Sequence, residues 1–171
     1  MRRFVVLIYL AVVVLCAACS GGSPYTASSP APSASVVPSV TFAHTTLRIG
    51  EAADARVIDV EVAANGEQRE RGLGYRDTLA ADGGMIFDLH SARIPSFWMK
   101  GMRFALDMVW IGEDRRVAAV TTNVPPQPGA ADEELRRYAP VAPVRYVLEL
   151  NSGAAAGLAV TPGIRLSFTL P

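Results

Sequence analysis

Both cysteines of this 171-residue chain, Cys16 and Cys19, fall within the first nineteen positions, so everything after them must fold without a disulfide. A cross-link contributes about 2–4 kcal/mol in a small domain, and none is available here. Stability must therefore come from burying apolar side chains. Half of the chain is hydrophobic, and a chain of this length buries about two-thirds of its unfolded surface, enough for one domain without staples.

The leader around those cysteines indicates where the protein works. Arg2 and Arg3 precede an apolar run from Phe4 to Leu15, and Ala17 and Ala18 lead into Cys19 and Ser20. That order resembles a bacterial lipoprotein signal, in which the cysteine after the cleavage point is acylated. Cys16 stands where such signals usually have Leu, and Leu15 lies one place early. Lipid on Cys16 would instead put bulky Leu15 at the cut. The apolar run has 12 residues, against the ~20 that a spanning helix needs. The expectation is a signal peptide over residues 1–18 and a lipid on Cys19. The protein is then exported, anchored on the outer side of the cytoplasmic membrane or in the outer membrane.

Removing the leader takes away Arg2 and Arg3 and leaves 14 basic against 16 acidic residues. Such near-neutrality argues against nucleic acid as the main partner. From Ser20 to Ser39 the chain is mostly Ser, Pro, Ala and Gly, too poor in apolar surface to repay ordering. Residues 19–44 read as a lipidated tether of about 25 residues, with an average reach of roughly 25–30 Å.

A single globular domain follows, over residues 45–171. Val57 to Ala63 alternates apolar Ile58, Val60 and Val62 with acidic Asp59 and Glu61, the period of a half-buried strand. Asn65 and Gln68 have capping-box spacing, and the short helix they open should stop at Gly72. Gly83-Gly84 reads as a turn into Met85-Ile86-Phe87. Phe97 to Lys100 and Ala105 to Ile111 read as strands, and Gly112-Glu113-Asp114 as a hairpin turn into Arg116 to Val124. Residues 125–143, broken by Pro125, Pro126, Pro128 and Gly129, form a long loop with one charged helical turn from Asp132 to Arg137. Tyr146 to Leu150 is another strand, Gly153 to Gly157 a helical turn, and Ile164 to Leu170 the closing strand. The fold class expected is mainly β: a single sheet or partly closed barrel of about seven short strands, with one or two short helices.

Several short motifs occur in a fixed order: Arg71-Gly72-Leu73, Tyr75-Arg76, Gly84-Met85-Ile86-Phe87, Phe97-Trp98-Met99-Lys100, Leu106-Asp107, and Val147-Leu148-Glu149-Leu150 followed by Gly153. This series resembles the prokaryotic family called domain of unknown function 192, over about residues 46–168. The chain differs at Gly74, Gly101 and Ala105, where the family usually has Met, Asn and Pro. The resemblance implies a compact β-rich fold, often exported, and no established reaction.

Candidate chemistry lies in charged residues set among apolar ones. Asp107 shares a strand face with Val109 and Ile111 while Leu106, Met108 and Trp110 take the other, so its carboxylate needs a cation or hydrogen-bond donors. Arg71, Arg76 and Lys100 are the candidate cations. Glu149 alternates with Val147 and Asn151, a pattern that fits a solvated outer face as well as a site. Trp98 shares a face with Lys100, and an exposed Trp beside charged groups grips sugar rings by stacking, although ordinary core packing also explains the aromatics.

Enzyme templates lack their parts. His44 and His90 stand apart, no thiol nucleophile or Gly-x-Ser-x-Gly stretch occurs, and no ligand spacing suggests zinc. No metal or cofactor is expected. The leading expectation is a non-catalytic binding or accessory module, with a cleft near Arg71, Arg76, Trp98, Lys100, Asp107 and Glu149 for a cell-wall glycan, peptide or envelope protein. Two alternatives remain at this level. One is a glycan hydrolase using Asp107 and Glu149 as paired carboxylates. The other is a copper-handling lipoprotein built on Met85, Met99, Met102 and Met108.

Overall fold

A computed structural model describes residues 39–53 and 55–171. The expected signal peptide, Cys19 and the tether up to position 38 lie outside the described residues. The elements are β1 (Ala43–Ile49), β2 (Arg56–Ala63), α1 (Gly66–Arg71), β3 (Gly83–Arg93), β4 (Leu106–Ile111), β5 (Val117–Val124), β6 (Val144–Asn151), α2 (Ala154–Gly157) and β7 (Leu166–Ser167). The class is mainly β, a seven-stranded sheet curled into a half-barrel.

The strand order is β5-β4-β6-β3-β2-β1-β7. Among the described residues only β2 and β3 run parallel, and their connection carries α1 across one face of the sheet. The two edges nearly meet: Arg116 bridges Arg165, and Val117 N–H donates to the Ile164 carbonyl at 2.9 Å. Curling in this way covers the edge strands, which would otherwise present unpaired backbone groups.

Two cores result, one on each face. The inner core contains residues from both edges, Val117 and Leu166, together with Ile58, Val60, Val109, Leu148 and Ala155 of α2. The outer core packs Met85, Phe87, Met108 and Trp110 of the central strands under Leu73, Met99, Met102 and Tyr138 from the connecting segments. All six residues of β4 are buried, as its two-sided apolar pattern requires.

Local chemistry explains the element ends. Gln68 N–H donates to Asn65 Oδ1 at 2.9 Å, and Asn65 N–H donates back to Gln68 Oε1, so the predicted capping box forms. Gly72, at φ 47°, closes the helix.

Four expectations need correction. Gly83 and Gly84 begin β3 rather than turning into it, because a Cβ on Gly84 would lie 3.0 Å from the Glu149 carbonyl oxygen, and only glycine allows that strand approach. Phe97 to Lys100 is not a strand but one bridge, Phe97 to Tyr138. Asp132 to Arg137 forms turns without a helix, and the closing strand shrinks to Leu166–Ser167 with a bridge at Arg165.

Candidate functional site

The outer face of the sheet carries a cross-strand row running Glu61, Met85, Glu149, Met108, Thr121, each opposite the next in register. Glu149 is thus held at the middle of the sheet between two methionines. It is only 5% exposed, which corrects the solvated-face reading. Burial pushes its carboxyl up to about 8, because an ionised group loses its hydration there. No side chain or backbone N–H among the described residues donates to it, yet every fully enclosed side-chain N or O atom among them has a partner. Its oxygens therefore open onto space.

That space is a narrow inlet of about 40 Å³ lined by Arg69, Glu70 and Arg71 of α1, by Phe97, Trp98 and Lys100, and by Glu149. It adjoins a wider groove of about 520 Å³, which adds Leu89, Arg93, Ile94, Pro95 and Ser96. Arg69, Glu70, Phe97 and Trp98 belong to both.

The segment carrying Trp98 is set by alternation without a sheet. Phe97 packs edge-to-face on Phe87 and Trp110, with ring centres 5.0 and 5.7 Å apart, and Met99 is buried beside it. Trp98 and Lys100 consequently point outward. Trp98 is 38% exposed, and the Arg137 guanidinium lies 3.5 Å from its ring centre. Lys100 pairs with Asp132, whose hydrogen bond raises its pKa. Arg71 lies over the Tyr75 ring at 4.8 Å. Tyr75 in turn covers Gly101, where a Cβ would meet the ring at 2.9 Å.

Charge around the groove is lopsided. Among the described residues Arg69, Arg71, Arg93 and Arg137 make no ion pair with a carboxylate. Arg69 instead donates to the carbonyls of Ala64 and Asp88 and contacts His90 Nε2. Glu70 is the acidic residue lining both parts.

The structure separates the other expected site residues from this place. Arg76 grips Glu61 through both guanidinium nitrogens and faces a different pocket, lined by His44, Asp59 and Gly84. Asp107 is fully buried and takes N–H donation from Asn123 (2.9 Å), Gly153 (2.9 Å) and Ala155 (3.1 Å). Backbone donors at the end of β5 and the start of α2, not the expected arginines or lysine, satisfy it. Its registration opposite Leu150 puts it on the inner face, whereas Glu149, opposite Met108, faces outward. Two carboxylates on opposite faces of one sheet cannot flank one glycosidic bond, so the proposed hydrolase pair does not assemble. Met85, Met99, Met102 and Met108 are all buried in the outer core, where thioethers serve as packing.

No sequence motif singles out Arg69, Arg93, Ile94 or Arg137. Arg69 and Arg71 lie in the last turn of α1, but nothing local marks Arg137, which reaches Trp98 from the long loop. A second charged node holds Asp88. Burial would raise its pKa, but hydrogen bonds from Arg145 Nε (3.0 Å) and the His90 N–H (2.7 Å) outweigh that and lower it. No cluster of three or more His, Cys, Asp or Glu suited to a metal occurs among the described residues.

The sequence profile of DUF192, described as Uncharacterized ACR, matches residues 47–168. A solved structure from Sinorhizobium meliloti 1021, described as a candidate transcription regulator, is 36% identical with a TM-score of 0.68, covering 77% of this chain and 98% of that one. A protein of unknown function from Novosphingobium aromaticivorans is 27% identical with a TM-score of 0.65, covering 86% and 99%. Among curated proteins, none matches the sequence significantly.

Proposed function

This chain belongs to the DUF192 family, and from that premise we propose that it is an exported, lipid-anchored binding module whose groove beside Trp98 takes a cell-wall glycan. The observation that carries the reading is the position of Trp98. A half-exposed indole at the junction of a groove and an inlet, braced by Phe97 behind it, offers a rigid apolar surface with polar groups at its rim. Sugar recognition needs that combination: stacking for the C–H face of the ring and hydrogen bonds at its edge.

The lipid on Cys19 would hold the domain at the envelope, and a tether of about 25 residues would lift it clear of the head groups. Nucleic acid is a poorer partner, because the whole chain carries 16 basic and 16 acidic residues and its guanidinium cluster lines a groove rather than a broad basic face.

Trp110 is buried and hydrogen-bonded to Thr121, so a ligand-induced change in tryptophan fluorescence reports Trp98. Soluble peptidoglycan fragments added to the full-length protein in detergent should shift that emission, and W98A should remove the response. Unchanged emission at saturating fragment concentration would refute the glycan reading. Labelled palmitate should enter the wild type and not C19S.

A further inference from the structure

We infer that the inlet beneath Trp98 is a subsite selecting an acidic, N-acylated sugar, in which Glu149 donates a hydrogen bond to a neutral ligand oxygen while the arginines around the groove hold the ligand's carboxylate. The inference rests on the glycan reading above and names the sugar class.

Three observations carry it. Glu149 is 95% removed from solvent, has no partner among the described residues, and has its oxygens directed at the inlet. A carboxyl group that meets only the inlet keeps its hydrogen-bonding capacity open to a ligand atom. The inlet's roughly 40 Å³ exceeds the 10–15 Å³ that one water needs, so it suits an acyl or hydroxyl oxygen and not a whole ring. Finally, the guanidinium groups of Arg69, Arg71 and Arg93 line the groove or the inlet and that of Arg137 stacks on Trp98 beside them, none with a carboxylate partner among the described residues, against Glu70 and Glu149 as the lining acids. Guanidinium groups bind carboxylates in a bidentate fashion.

The electrostatics around Glu149 agree. Arg69, Glu70 and Arg71 face the inlet from α1 and Lys100 from the Trp98 segment; β3 and β4 contribute Met85 and Met108, and Glu61 stands beyond Met85 in the same row. With its carboxyl pushed up to about 8, Glu149 is mainly protonated at pH 7 and so has a proton to donate. An ammonium group would meet cations at the entrance and a neutral acid at the bottom. A carboxylated sugar meets attraction at the rim and a donor inside.

N-acetylmuramic acid and N-acetylglucosamine make a matched pair, since they share the ring and the acyl group and only the first has a carboxylate. Titration of the full-length protein in detergent, followed by nuclear magnetic resonance shifts, should show at least tenfold tighter binding of the first. E149Q, which keeps a neutral donor, should bind within about threefold of wild type at pH 7. E149M, which fills the inlet with an apolar chain, should lose tenfold or more without any fall in melting temperature. Wild-type affinity should fall from pH 6 to pH 9, and that of E149Q should not. Equal affinity for the two sugars, or an E149M protein that binds like wild type, overturns the inference. W98A separates the two readings: if it abolishes binding while E149M does not, the groove survives as a glycan site and the inlet subsite is wrong. If only the neutral sugar binds, the acidic-ligand inference fails while the glycan reading stands. Failure of both sugars and of the larger fragments to bind defeats both.

Discussion

Replacing Glu149 with Gln should stabilise this protein, and by an amount that grows with pH. The carboxyl stands between Met85 and Met108 with no donor among the described residues, and burial lifts it from an ordinary value of 4.5 to about 8. The folded form therefore retains a proton that the unfolded chain releases above pH 4.5. Below that pH both states are protonated and the group is neutral in effect. As pH rises from 4.5 towards 8, the unfolded state gains from ionising and the folded state cannot follow, so stability is lost across that window. At about 1.36 kcal/mol per pH unit, the penalty is roughly 1 kcal/mol at pH 5, 3 at pH 7 and 4 at pH 8. Gln has nearly the same shape and never ionises. Urea unfolding of wild type and E149Q at these three pH values should give a gap that widens accordingly, or about 10 °C in melting temperature at pH 7. A gap that stays constant from pH 5 to pH 8 would refute the reasoning, because it would mean that Glu149 ionises alike in both states.

Asp107→Asn should cost about 3 kcal/mol in urea unfolding, since an amide cannot replace a carboxylate that accepts from three backbone N–H groups at 2.9–3.1 Å. Asp88 behaves oppositely to Glu149. Its lowered pKa gives stability that is present above the ordinary carboxylate range and lost as pH falls through the folded value. Asp88→Asn should therefore destabilise at pH 7, with a cost that fades in acid unfolding experiments below about pH 4. Trp98→Ala should lower stability by about 1 kcal/mol or less, as its ring is partly in solvent, whereas Trp110→Ala should cost about 3–5 kcal/mol by opening a cavity in the outer core; thermal unfolding of both variants checks this.

Strand alternation made much of the sheet legible. Ile58, Val60 and Val62 face the inner core as their spacing requires, and Asn65, Gln68 and Gly72 start and stop α1 through contacts spanning at most seven residues. The partition of β4 into two apolar faces was equally readable, because successive side chains on a strand must point opposite ways. The same rule left Trp98 and Lys100 outward even where no strand forms.

What alternation cannot supply is the identity of the neighbour. Asp107 visibly needed donors, but that they come from Asn123, Gly153 and Ala155, 16, 46 and 48 residues away, depends on how β5 pairs and how the chain returns after β6. Glu149 looked equally suited to solvent or to a site, since a single strand does not reveal what covers its face. Only the placement of α1 and the Trp98 segment over the outer sheet turned it into the floor of an inlet. Arg137 reached Trp98 through a loop without periodicity. Local sequence thus determined which residues share a face and where elements end, since those preferences act over a few bonds. The tertiary structure decided which charges meet, since that depends on strand order and loop paths that bring together residues far apart in the chain.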